Sequence, residues 1–295
     1  MLDYDMPLWR PPSEGNNLII QATLGCSFNR CSFCAMYREK EYTARRLSDV
    51  FTDIDRAAAL WPDAHRVFLA DGDALARETD DLIAILEHLA ARLPALQRVS
   101  SYALPANLLK KSEAELARLR AAGLKLIYYG IESGSAEILK RITKGATPDA
   151  MAEGLEKAFA AGLKVSATMI LGLGGRTRAD EHIAGTAALV NRVPPTYLST
   201  LQLGLVPERR ADFINRFERA GGTFEEQDDA GMLAEQTSLI EQLAPHRPVI
   251  FRSNHASNAL PLAGTLPKDR DALLDVLGMA RAGTVPTRPQ YIRGL

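Results

Sequence analysis

The stretch LIIQATLGCSFNRCSFC, residues 18–34, decides how the chain is read. Its first six residues, Leu18–Thr23, are an apolar, strand-like run that feeds straight into a loop holding all three cysteines, Cys26, Cys31 and Cys34. Three thiols within nine residues are no disulfide framework. Met1–Pro12 holds Asp3, Asp5, Arg10 and three prolines, and no apolar leader. No run of 18 apolar residues follows, so a cytoplasmic location away from any membrane is expected. In that reducing setting clustered thiols read as metal ligands or redox groups. Three thiolates on one short polar loop suit three irons of a cubane cluster and leave one position open. A structural zinc site wants four ligands, and the nearest downstream histidine is His65. A zinc-holding barrel that binds RNA is kept as an alternative. Lys plus Arg total 35 against 36 Asp plus Glu, so nucleic acid is not the expected partner.

Outward from this loop the chain repeats a strand-then-helix rhythm. Strand-like runs at 66–70, 98–103, 124–129, 163–171 and 197–206 follow the first one. Helical spacing covers 48–60, 80–93, 112–122, 135–142, 148–161 and 178–191, with Ser48 as a candidate N-cap and Ser112/Glu115 as a capping box. Strands alternating with helices argue for a parallel sheet, and six such units favour a barrel with its chemistry at the strands' C-terminal ends. The expected fold is therefore α/β, a partial (β/α)6 TIM-like barrel over 14–206. An extension over 207–295 caps it, with helices at 209–220, 230–243 and 268–281 and a strand-like run at 248–251. Alternation along 124–129 turns only one of Tyr128 and Tyr129 toward the barrel interior.

With these residues in view, the chain resembles the radical S-adenosylmethionine (SAM) superfamily. The cysteine loop follows the first strand, and the aromatic Phe33 immediately precedes the last cysteine. The family usually places three residues between the first two cysteines; here Ser27–Arg30 make four. The resemblance implies a 4Fe–4S cluster on Cys26, Cys31 and Cys34, with SAM on the open iron. It implies an electron donor of flavodoxin or ferredoxin type and a 5′-deoxyadenosyl radical that takes hydrogen from a small-molecule substrate. It also implies four further cofactor loops. Asp71-Gly72-Asp73 stands where the family receives the SAM ammonium, although Asp and Gly also make ordinary turns. Tyr102 ends the third strand and is either cofactor-facing or core. Gly130–Gly145 looks like the matching piece of methylthiotransferases and oxygen-independent coproporphyrinogen oxidases. There Glu132 or Ser133 would meet the ribose or methionine portion, and Lys144 the methionine carboxylate. Ile170-Leu171-Gly172 resembles the element that borders the adenine, with Thr168 in place of its first glycine.

For the substrate, Arg252–Asn258 (RSNHASN) packs a guanidinium, an imidazole, two amides and two hydroxyls into seven residues. Arg252, Asn254, His255 and Asn258 are the candidate contacts, with His255 as proton donor or acceptor. The competing reading is a hydrogen-bonded turn that pins the C-terminal segment. With no fourth cysteine, the chain supplies no cysteine-ligated second cluster and no cysteine for methyl transfer. A glycyl-radical activase is not expected, nor is a cobalamin domain before residue 18. A second alternative is a heme-delivering relative without turnover, for which His255 would be the ligand.

Overall fold

In the computed structural model, which describes residues 2–294, each apolar run becomes a strand and most strands are followed by a helix. The chain forms two units. The first comprises 2–29, 34–129 and 153–165, and the second 30–33, 130–152 and 166–294. The second unit thus takes in part of the expected core together with the whole expected extension.

The first unit contains β1 (Leu18–Gln21), the small antiparallel pair β2 (Thr23–Leu24) and β3 (Thr43–Ala44), α1 (Leu47–Leu60) and β4 (Arg66–Ala70). It continues with α2 (Thr79–Arg92), β5 (Arg98–Ala103), α3 (Pro105–Lys110), α4 (Glu113–Ala121) and most of β6 (Leu124–Glu132). Within it β1, β4, β5 and β6 lie side by side and parallel, Ile19 opposite Phe68 and Tyr102 opposite Tyr128. Such strands are covered on both faces and so read as unbroken apolar runs; four of the five residues of β4 are buried. Tyr128 and Tyr129 do alternate, but both are buried. Tyr128 joins Phe68 and Tyr102 edge to face, at 6.1 and 6.2 Å between ring centres, and its hydroxyl donates to Glu14 Oε1 at 2.5 Å. Arg98 reaches the same oxygen at 2.7 Å.

The second unit holds the end of β6, α5 (Ala136–Arg141), the start of α6 (Pro148–Ala160) and most of β7 (Lys164–Leu171). After these come α7 (Ala179–Arg192), β8 (Tyr197–Gln202), α8 (Pro207–Glu218), α9 (Asp229–Gln242), β9 (Val249–Arg252), β10 (Ala263–Leu266) and α10 (Arg270–Arg281). β7, β8 and β9 are parallel, and β10 closes on β9 antiparallel.

Several boundaries differ from expectation. Ser112 caps α4 through a capping box with Glu115, as its spacing predicts. Ser48 does not cap α1: the helix starts one residue earlier, behind Arg46, and the Ser48 hydroxyl turns to Asp49. α3 and β10 were not expected. β8 ends at Gln202 rather than Val206. The loop after β6 lies so close to α7 that a Cβ on Gly134 would come 2.1 Å from the Gly185 carbonyl oxygen. Gly134→Ala therefore forces the loop off α7. The expected cost is about 1–3 kcal/mol of overpacking, read as a lowered urea midpoint at unchanged slope.

Candidate functional site

The cysteine loop is folded by its own polar groups. In the first unit Gly25 has φ +69°, and a Cβ there would press on the carbonyl oxygens of Lys40 and Glu41 at 3.1 Å. The Asn29 side chain donates to Tyr37 O at 2.7 Å, and Arg38 Nε donates to Cys34 O at 3.0 Å. In the second unit both the N–H and the hydroxyl of Ser32 donate to Ile142 O. Cys26, Cys31 and Cys34 are all half-buried. Burial pushes the Cys26 thiol up, against hydrogen bonds from the Asn29 and Phe28 backbone. A soft, three-thiol donor set on a constrained loop fits an iron–sulfur cluster.

The loop after β4 supplies two buried carboxylates with opposite fates. Asp71 Oδ2 accepts from Gly25 N–H at 3.1 Å and pairs with Lys40 Nζ at 3.0 Å, while Gln21 donates to Oδ1 at 3.1 Å. It ties the root of the cysteine loop to β4 and has its cation built in. Asp73 accepts from the Ser27 hydroxyl, but its Oδ1 is buried with no hydrogen bond. Burial pushes its pKa up to about 6, against the pull of Ser27, Asn107 and Lys111. Gly72 between them is pinned, since a Cβ would strike the Tyr37 ring at 2.4 Å. Tyr102, half-buried, packs edge-on to Phe68 at 5.1 Å.

In the second unit Glu132 and Lys144 meet each other, Nζ to Oε1 at 2.9 Å, both almost wholly buried. Glu132 sits at φ +57°, and a Cβ on Gly130 would come 2.0 Å from its carboxylate. Ser133 is buried against His182. The His182 Nε2–H donates to Ile170 O at 2.9 Å, so Nδ1 is the acceptor for the Ser133 hydroxyl at 2.8 Å. The ring therefore locks the end of β7 to the loop after β6. Sequence reasoning passed over His182 because a histidine inside an amphipathic helix has no local signature.

A cavity of about 130 Å³ opens in this unit. It is lined by Phe33, Ile170, the run Leu201–Gly204, His255 and Ser257. The aromatic from the cysteine loop, the end of β7 and the departure of β8 thus converge on one slot. Of the four substrate candidates only His255 lines it. Its Nδ1 accepts from Ser257 N–H at 3.1 Å and lies 2.8 Å from the Ser257 hydroxyl. In the neutral ring the proton is therefore on Nε2. Burial and then Arg288 push its pKa down. Asn258 is saturated: its amide donates to Thr200 O and Ser253 Oγ, and its oxygen accepts from Gln202 N–H. That is the turn-forming role, pinning the loop to β8. Asn254 is exposed, and Arg252 donates back to Phe251 O. Gly172, at φ +79°, turns its N–H onto Glu235 Oε2 at 2.6 Å, a carboxylate from α9 that the sequence did not single out.

A sequence profile of the Radical SAM superfamily matches residues 20–187, more than half of the chain. No curated protein matches. Among solved structures, the coproporphyrinogen III oxidase HemN from Escherichia coli, a radical SAM enzyme, has a TM-score of 0.57 at 16% identity, over 77% of this chain and 52% of its own. The radical SAM methyltransferase TsrM from Kitasatospora setae, with cobalamin and a [4Fe-4S] cluster bound, also scores 0.57, at 15% identity over 90% and 61%. The cobalamin-dependent radical enzyme OxsB scores 0.51 at 20% identity, over 59% and 26%. The chain thus spans less than two thirds of each. At these identities the likeness is one of fold: the partial radical SAM barrel expected from the sequence.

The His182 lock has a measurable consequence. Burial holds its pKa at about 4, below the usual 6.5, so it stays neutral while the unfolded chain takes up a proton. Stability is then full above pH 6.5 and falls by about 3 kcal/mol as pH drops through 6.5 toward 4. Urea midpoints from pH 7 to 4 measure this slope, and His182→Gln, which does not titrate, should remove that part of it. An unchanged slope in the variant would show that His182 is not held neutral.

Proposed function

The chain belongs to the radical SAM superfamily, an enzyme superfamily whose members carry a 4Fe–4S cluster and SAM, and from that premise we propose how its own residues hold the two. Cys26, Cys31 and Cys34 are the cluster ligands. When bound, the cluster would supply one-electron reduction of SAM and, through it, hydrogen-atom abstraction from a small-molecule substrate.

The observation that carries the reading is the cavity of Phe33, Ile170, Leu201–Gly204 and His255. It is largely apolar and about 130 Å³, below the about 300–1,000 Å³ typical of pockets for drug-sized ligands. That is room for a nucleobase. We assign the cavity to the adenine of SAM, with the His255 Nε2–H as a donor to its edge. His255 then contacts the cofactor and is not a proton carrier for the substrate.

Asp73 is assigned to the SAM ammonium. Its buried, unpartnered oxygen is a half-made ion pair, and a buried polar atom without a partner costs stability unless a ligand satisfies it. Asp71 is assigned to holding the loop, because Lys40 already neutralises it. Glu132 and Lys144 likewise neutralise each other, so the methionine carboxylate and the ribose must part that pair or accept from its remaining lone pairs and protons. An external one-electron reductant is part of the proposal, as is the unidentified substrate.

Anaerobic reconstitution with iron and sulfide, then dithionite plus SAM, tests the reading. About four irons per chain and a cleaved nucleoside by mass spectrometry are expected, both lost in Cys31→Ala. Zinc without iron after anaerobic purification would sink it. Asp73→Asn removes the charge and keeps the shape. It should leave the iron content unchanged and weaken SAM binding by roughly ten- to hundredfold, the value of a charge-assisted hydrogen bond, measured by equilibrium dialysis.

A further inference from the structure

The turn after β7 is held from outside the part of the chain that the superfamily profile covers. Glu235 lies on α9 and is 3% exposed. Its Oε2 accepts the Gly172 N–H at 2.6 Å, and its Oε1 accepts from Gln227 Nε2 at 3.2 Å. One turn earlier on the same helix, the Met232 methyl fills the space beside Gly172: a Cβ there would come 2.9 Å from it. The segment before α9 grips the far end of the turn, with Arg176 N–H donating to Glu225 O at 2.7 Å. The near end joins the cavity wall. Leu203 N–H donates to Leu171 O at 2.9 Å, and Ile170 and Leu203 both line the cavity.

We propose that Glu235 is the positioning residue for the cofactor cavity: its carboxylate fixes Gly172, and through Leu171 the spacing of the walls that Ile170 and Leu203 provide. The proposal rests on the cofactor reading above for what the cavity holds. It assigns α9 a function beyond covering the barrel.

The charge state matters. Burial pushes the Glu235 pKa up to about 7, the Gly172 and Gln227 hydrogen bonds pull against it, and Asp180 on the first turn of α7 raises it further. Asp228 and Asp229, at the start of its own helix, are paired with Arg176 and Arg293. No ion pair of Glu235 is found among the described residues. As an anion it is the stronger acceptor, so Gly172 is held more firmly above pH 7 than below it. The anion also destabilises the fold: a raised carboxylate pKa means stability is lost as pH climbs from 4.5 through 7.

The test uses the full chain with its cluster reconstituted and two variants, Glu235→Gln and Glu235→Ala. The first readout is hydrogen exchange of the Gly172 amide at pH 6 and 8, corrected for the intrinsic rate. Wild type should gain protection between the two pH values. Glu235→Gln should show no change between them, and Glu235→Ala should lose roughly tenfold at pH 8. The second readout is the dissociation constant for S-adenosylhomocysteine from pH 6 to 8.5. Wild type should tighten on the order of fivefold through pH 7, and Glu235→Gln should stay flat while melting no lower than wild type at pH 8. A merely structural carboxylate would move melting and leave the pH profile in place. Wild-type protection of Gly172 in Glu235→Ala, or a wild-type pH profile in Glu235→Gln, overturns the proposal. If wild type binds no S-adenosylhomocysteine yet Gly172 protection follows Glu235, the cofactor reading falls and the positioning of the turn stands.

Discussion

The Asp71 carboxylate is the constraint on which the cysteine loop depends. It is wholly buried, and a buried charge is tolerated only when it is paired and hydrogen-bonded. Each of its partners comes from a different stretch: Gln21 from the end of β1, the Gly25 N–H from the start of the loop, and Lys40 from the loop's return. Satisfying this one group fixes where the loop leaves β1 and where it comes back. Between those points, Asn29 and Arg38 bind the loop's own carbonyls. The result is a chain reversal held in part by its own side chains.

What the sequence made legible follows from which forces are local. The runs at 66–70 and 98–103 became β4 and β5 without change, because their apolar periodicity and their flanking turns are written in adjacent residues. The Ser112/Glu115 box was readable for the same reason. α3 was not, being a short helix begun by Pro105 and paid for by the burial of Asn107 and Leu108. β10 was not, since Ala-Gly-Thr-Leu has no strand signature and forms only because β9 offers it an edge. At the site, residue types were legible but pairings were not. Asp71 and Glu132 could be read as charged groups at strand ends and Lys144 as a cation after a helix, yet Lys40 stands 31 residues before Asp71, and Lys144 lies a helix beyond Glu132. Asn258 carried the composition of a binding residue, but nothing local in the sequence showed the four hydrogen bonds its side chain makes to Thr200, Gln202, Ser253 and Ser257.

The buried carboxylates at these loop ends fall into two kinds. Asp71 and Glu132 have a lysine built against them. Asp73 and Glu235 accept from hydroxyl, amide or backbone donors and have no ion pair among the described residues, and burial raises the pKa of each. The first kind is what a fold needs to bury a charge without loss. The second kind costs stability at neutral pH, and a neutral side chain of the same shape would avoid that cost. Costly titratable groups gather where a ligand or a reaction uses them. Asp73 lies on the loop after β4 and Glu235 on the helix that holds the loop after β7. The destabilised carboxylates therefore stand at the C-terminal ends of the parallel strands, the ends where this class of fold places its chemistry, and one of them comes from a helix beyond the segment that identifies the superfamily.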